Sequence, residues 1–328
     1  MYLSINFFIT LLYIMVQTII LNQTNVVQDG LNNKMVYSFP NSVSFPNHEI
    51  AIQAIYMYYS WVNINGTTLN NNTFTFGWPN TDGDWTEEPV TIPDGLYEIA
   101  TINKYLQWYC INKGYYLISD TGSNVYYFEF VVNPSKYAVQ LNFYPVPTEL
   151  PTGWTAPAYN PITGGAEWPG FPPAAITPIF KMPVGSGNFY KIIGFPKPVT
   201  GGQLIWPDPE AATDINYSAV STVSPEVQPN PVLFVSITGI ENNYATPSSI
   251  IGVISPSVGF GELIQFEPPQ FAYNPLMKGT YNQLRLAFIG TDKSQIQIQD
   301  PQIVVELVIR DTKSLSIADA LTTAAGGK

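Results

Sequence analysis

The chain has 328 residues, 45% of them hydrophobic and only 11% charged, with a formal net charge of −11. With 13 Lys and Arg in all, it has no reservoir of cations for a phosphate-binding face, so nucleic acid is not expected as a direct partner. One cysteine (Cys110) and one histidine (His48) exclude an intrachain disulfide framework, a cysteine-based zinc site and a His-His relay.

Residues 1–21 are strongly apolar and contain no Lys or Arg. They mimic the apolar stretch of a signal peptide but lack its basic start, and Asn6, Thr10 and Gln17 interrupt them as a membrane span. Residues 1–17 are therefore read as an apolar extension, with no membrane role expected and strand character beginning at Thr18. Residues 35–39 and 50–59 are β-branched and aromatic, bounded by Pro40-Asn41-Ser42 and the Asn-rich stretch 63–72. Phe74, Phe76 and Trp78 alternate on one side of the next strand. After Asp94-Gly95, the spacing of Leu96, Ile99, Ile102, Leu106 and Tyr109 predicts a helix ending at Lys113 with Gly114 as its C-cap.

Strand signals resume at 115–119, 125–132 and 137–144. Residues 145–209 are dense in proline and carry Trp154, Trp168 and Phe171, which reads as an ordered insertion with few long strands. The last third is the most regular, with Leu233, Val235 and Ile237, then Leu284, Leu286 and Phe288, then Val305, Leu307 and Ile309 alternating. Together these elements predict an all-β fold, a sandwich or barrel with one short helix and a Pro/Gly-rich insertion, in one domain over 18–311 followed by a tail at 312–328.

No catalytic, cofactor-binding or metal-binding residue is assigned. His48-Glu49 has no nucleophile that spacing can attach to it, and Cys110 sits among apolar neighbours on the predicted helix. Asp82, Asp84, Glu87 and Glu88 form an acidic stretch without the spacing of an EF-hand loop, and Gly185-Ser186-Gly187 lacks the lysine of a phosphate loop. Sequons occur at Asn22, Asn65, Asn71 and Asn216. Tyr56, Tyr58, Tyr59, Trp61, Trp78 and Trp85 either stack on a sugar or fill a core. A pair of glycosidase carboxylates would have to come from remote strands, and no residue points to one.

Several segments read together as a family pattern: Ser60-Trp61-Val62-Asn63-Ile64, Ile92-Pro93-Asp94-Gly95-Leu96-Tyr97 and Ile193-Gly194-Phe195. In the last third Asn243-Tyr244-Ala245-Thr246-Pro247, Pro268-Pro269-Gln270-Phe271, Gly279-Thr280-Tyr281 and Asp300-Pro301-Gln302-Ile303 join them. In order and spacing, from about residue 18 to 311, they resemble the minor capsid (penton) proteins of Polinton-like viruses, Maverick elements and virophages. Residues 1–14 depart from the pattern, since related chains begin close to the first strand, so they read either as an extension or as a misplaced start with Met15 as the alternative. The resemblance implies a single jelly-roll sandwich of eight strands in two packed antiparallel sheets. It further implies a homopentamer at the fivefold vertices of an icosahedral double-stranded DNA virus shell, partnered by a double-jelly-roll major capsid protein, with no cofactor. The competing readings are a secreted lectin-like β-sandwich adhesin, suggested by the apolar N-terminus, the sequons and the tryptophans, and a carboxylate hydrolase.

Overall fold

The computed structural model describes residues 16–160, 162, 164–182, 187–198, 204–208 and 214–313. They divide into two compact units, one running up to Trp61 and again from Asn230, the other spanning Val62–Pro229. In chain order the first unit opens with β1 (Val16–Leu21), β2 (Lys34–Ser44) and β3 (His48–Tyr58). The second holds β4 (Thr73–Pro79), β5 (Trp85–Thr91), α1 (Ile99–Lys113), β6 (Leu117–Ile118), β7 (Asn124–Val125), β8 (Phe128–Asn133), β9 (Ala138–Phe143), β10 (Ile179–Met182), α2 (Phe189–Ile193), β11 (Leu204–Trp206) and β12 (Tyr217–Val220). The chain then returns as β13 (Leu233–Ile237), β14 (Ile250–Ile254), β15 (Leu263–Phe266), β16 (Asn274–Pro275), β17 (Thr280–Ile289) and β18 (Val304–Asp311).

In the first unit the strand orders are β1-β18-β3-β15, with β16 added to β3, and β14-β13-β17-β2. All these pairings are antiparallel, and the chain passes back and forth between a five-stranded and a four-stranded sheet, with only β13–β14 and β15–β16 staying in one sheet, which is the jelly-roll winding. The alternating apolar residues of the last third line its interior: Leu233, Val235, Leu284, Leu286, Phe288, Val305 and Leu307 are all buried. The sheets approach so closely that a Cβ on Gly252 would lie 2.6 Å from Cδ1 of Ile52. Pro40-Asn41-Ser42, expected as a strand boundary, lies inside β2. The pairing of β2 with β17 skips from Ser38 to Val43 at a bulge, which accommodates a proline that cannot donate to the ladder.

The second unit has its own core between the sheets β11-β10-β4-β5 and β12-β9-β8. That core is aromatic: Phe76 stacks on Phe128 (5.7 Å, 16°), Phe128 on Phe143 (4.6 Å, 12°) and Trp78 on Tyr115 (4.7 Å, 7°). Helix α1 covers it with Ile99, Ile102, Leu106, Tyr109 and Cys110, as their spacing predicts. Gly114 ends the helix at φ 74°, and a Cβ there would sit 2.2 Å from the Glu167 carbonyl, so both conformation and space require glycine.

The interruption of the jelly roll is thus wider than the expected 145–209, beginning at Val62 and ending at Pro229. The proline-rich stretch supplies β10, α2 and β11, and its Trp168 packs edge-on against Trp78 at 5.5 Å. The five-residue α2 was not predicted, being too short for a helical period to register. The apolar segment 1–15, Gly185-Ser186 and the tail from 314 lie outside the described residues.

Removing the Phe128 ring deletes two stacked contacts at once. Phe128→Ala is expected to cost the second unit about 3–5 kcal/mol, read as a lowered urea midpoint for the isolated 62–229 fragment, which its self-contained core predicts will unfold cooperatively.

Candidate functional site

Three of the seven segments that carry the family resemblance meet: 60–64 contacts 300–303 within the first unit and 92–97 within the second. In the first unit the Trp61 indole is fully buried and its Nε1–H donates to the Asn230 carbonyl at 3.1 Å. The Ser60 hydroxyl accepts from the Asp300 N–H at 3.2 Å, joining two of the segments, and the Asp300 carboxylate accepts from the Gln302 N–H at 2.8 Å. In the second unit the Asn63 amide donates to the carbonyls of Tyr97 (2.6 Å) and Val227 (2.5 Å) and accepts from the Tyr97 N–H (2.8 Å). Ile64 and Gly95 exchange two backbone hydrogen bonds of 3.0 Å. Farther along, Gly194 caps α2 at φ 70°; a Cβ there would meet the Val223 carbonyl at 2.3 Å, and the following Phe195 packs on Trp206.

Asn65 and Asn71 belong to the same polar knot. Asn65 donates to Asp94 and accepts from the N–H groups of Thr67 and Thr68, and Asn71 donates to the Asn63 carbonyl and accepts from the Asn65 N–H. Both are only 3% exposed, so in the folded chain neither amide is accessible for a glycan. Asn22 is exposed but caps a short 3-10 turn, accepting from the Thr24 N–H and hydroxyl, and Asn216 is exposed.

The tryptophans expected either to stack on a sugar or to fill a core do the latter at Trp61 and Trp78, and the Trp85 indole donates to the Thr177 carbonyl at 2.9 Å. Tyr59 is buried against Trp61, and Tyr56 donates to Glu267 at 2.8 Å. His48 and Glu49 are neighbours on a strand and point to opposite faces. The His48 ring contacts the Pro46 carbonyl, whereas Glu49 accepts two hydrogen bonds from Arg310 (3.0 and 2.8 Å), whose guanidinium lies 3.5 Å above the Tyr273 ring.

The acidic stretch divides in the same way. Asn80 accepts from the N–H groups of Asp82 and Asp84 and shapes the turn, Glu87 pairs with Lys181, and Glu88 pairs with Lys113 on the other face of β5. The Tyr109 and Tyr115 hydroxyls also donate to Glu88, at 2.8 and 3.3 Å. Partial burial pushes the Glu88 carboxyl upward, but the hydrogen bonds and charge of Lys113, with the two phenols, outweigh it and hold the group below its usual 4.5. Burial, reinforced by the Glu88 carboxylate, pushes both phenols up, and burial alone pushes up the Cys110 thiol. Among the described residues no three His, Cys, Asp or Glu side chains cluster as metal ligands, and no helix is long and apolar enough to cross a membrane.

Several large apolar side chains stand exposed among the polar ones on the jelly roll. Val16, Ile20, Tyr58, Val253, Leu263, Phe271 and Met277 are all exposed, and Tyr244 stands fully in solvent on the β13–β14 loop. These side chains were not singled out in the sequence as a surface, because alternation alone does not say which face of a strand is covered.

No family model matches the sequence, and no curated protein matches it. Among solved structures the chain is similar to the crystal structure of SeMet-labelled mavirus penton protein, at 10% identity over 90% of this chain and 97% of that one, with a TM-score of 0.39. A likeness of that degree carries no inference about function.

Two measurements check the polar contacts. Because Glu88 is held below its usual value, its contribution to stability is present above about pH 4.5 and is lost as pH falls through the lower folded value. The urea midpoint of the second unit should therefore drop between about pH 6 and about pH 3, and Glu88→Gln should flatten that drop. Asn71→Ala leaves the Asn65 N–H and the Asn63 carbonyl unpaired inside the knot, and should cost about 1–3 kcal/mol in the same assay.

Proposed function

We propose that this chain is a structural subunit of a virus shell, and that five copies form the vertex of an icosahedral double-stranded DNA capsid beside a double-jelly-roll major capsid protein. The observation that carries the reading is that three of the resembling segments meet: residues 60–61 contact 300–302 within the jelly roll, and residues 63–64 contact 95–97 within the second unit. Short motifs scattered through the chain thus serve as working parts of two folded units. The jelly roll alone hosts many functions, so it supports the reading without carrying it.

A subunit of a closed ring needs two different complementary sides. Exposed apolar residues lie on both edges of one sheet, Ile20 on β1 and Leu263 on β15. Low charge leaves such surfaces with little electrostatic cost to bury in permanent contacts. The chain would act in the virion, after assembly inside the host cell, and its chemistry there is packing and requires no catalytic group. The buried sequons at Asn65 and Asn71 and the buried indoles of Trp61 and Trp78 do not favour the secreted lectin-like alternative.

Co-expression with the major capsid protein of the same genome should place this chain at the fivefold positions of the assembled shells, visible by electron cryo-microscopy. A stable monomer of 36.4 kDa that never enters those shells would refute the proposal.

A further inference from the structure

Among the described residues strand β1 lies at the edge of its sheet and pairs only with β18. Ile19 and Leu21 face the interior and are buried, whereas Gln17, two residues earlier on the same side, is exposed. The strand therefore reaches the rim of the core between positions 17 and 19.

The sequence before it keeps the same period. Every odd position from Leu3 to Met15 is apolar, and the polar residues Ser4, Asn6 and Thr10 all fall at even positions. On a helix positions 4 and 6 would stand about 200° apart, whereas on a strand all three share one face. From Phe7 to Val16 there is no Gly, Pro, Asn, Asp or Ser to turn the chain back. Residues 7–15, continued as a strand, would extend about 30 Å, beyond the rim of their own core.

The opposite edge of the same sheet offers a surface for such a strand. β15 pairs only with β3, leaving its other edge open among the described residues. Tyr58 and Leu263, paired across β3 and β15, are 39% and 45% exposed, and Phe260 beside them is 44% exposed. A shallow cavity of about 360 Å³ adjoins them, lined by Tyr59, Phe260 and Pro301 among others.

We propose that residues 3–15 of one copy dock as an extended strand on the β15 edge of a second copy, with the apolar odd-numbered side chains over Tyr58, Phe260 and Leu263. The open backbone edge of β15 supplies hydrogen-bond partners, and the apolar surface supplies burial. No charged residue precedes Asp29, so the arm adds no like-charge repulsion between two chains of net charge −11. Donor and acceptor occupy opposite edges of the sheet, so the contact is head-to-tail and leads to a ring or an open chain instead of a twofold dimer. The inference does not depend on the shell reading.

The test is disulfide trapping in the full chain. One preparation carries Ile9→Cys, another Phe260→Cys, and the native Cys110 is 2% exposed and does not compete. Oxidising the mixture should give a cross-linked dimer on a non-reducing gel, and a chain carrying both substitutions should give a ladder of higher species. A fast-migrating intramolecular product from the double variant overturns the proposal. So does the absence of any cross-link while circular dichroism remains that of the unsubstituted chain. Adding Leu263→Glu to the Phe260→Cys partner should lower the cross-linked yield by about tenfold, and an unchanged yield overturns it. If the full chain instead floats with phosphatidylcholine vesicles and does not cross-link, the arm is a membrane segment and the proposal fails.

Discussion

The hydrogen bond from the Trp61 indole to the Asn230 carbonyl joins the two points at which the chain leaves the jelly roll and comes back to it. Everything between them is a long excursion, and β13 has to return next to β17 in the correct register. Loop-closure entropy rises only slowly with length, so a large insertion is tolerable provided its two ends meet. The second unit meets that condition by itself, since Asn63 donates to the Val227 carbonyl at 2.5 Å. The jelly roll and the inserted unit therefore each close on their own hydrogen bonds, with a fully buried indole and a buried amide at the two closures.

Among the described residues Lys34 pairs with Asp29 at a turn, Lys113 of α1 with Glu88 of β5, Lys181 with Glu87 across β4, and Arg310 with Glu49 on neighbouring strands. Such partly exposed pairs contribute little each. Stability rests on the two apolar cores, and the outer surface of the jelly roll is left with exposed aliphatic and aromatic side chains on both sheets.

Several features were legible from residue types alone. The alternation of Leu284, Leu286 and Phe288 and of Val305, Leu307 and Ile309 predicts strands with one buried face, and those faces are buried. The spacing from Leu96 to Tyr109, closed by Lys113-Gly114, predicts α1 with its C-terminal end in place, although the helix starts at Ile99 and leaves Leu96 outside. Other features required contacts between distant residues. Asn65 and Asn71 match the glycosylation pattern, yet both side chains are buried on backbone groups two and eight residues away. The proline-rich stretch reads as an insertion into one domain, yet its Phe180 and Phe189 pack on Phe74 in the core of a second unit.

By itself, then, the sequence determined the all-β class, the position of the main helix, the shortage of cations and the resemblance of scattered motifs, because period, composition and local capping act over a few residues. Only the tertiary structure decided that three of the motifs meet, that the second core begins at Val62, that Glu49 serves Arg310 instead of His48, and which apolar faces stay open. Those outcomes depend on which strands pair across hundreds of residues, and a strand's own side chains do not encode its partner.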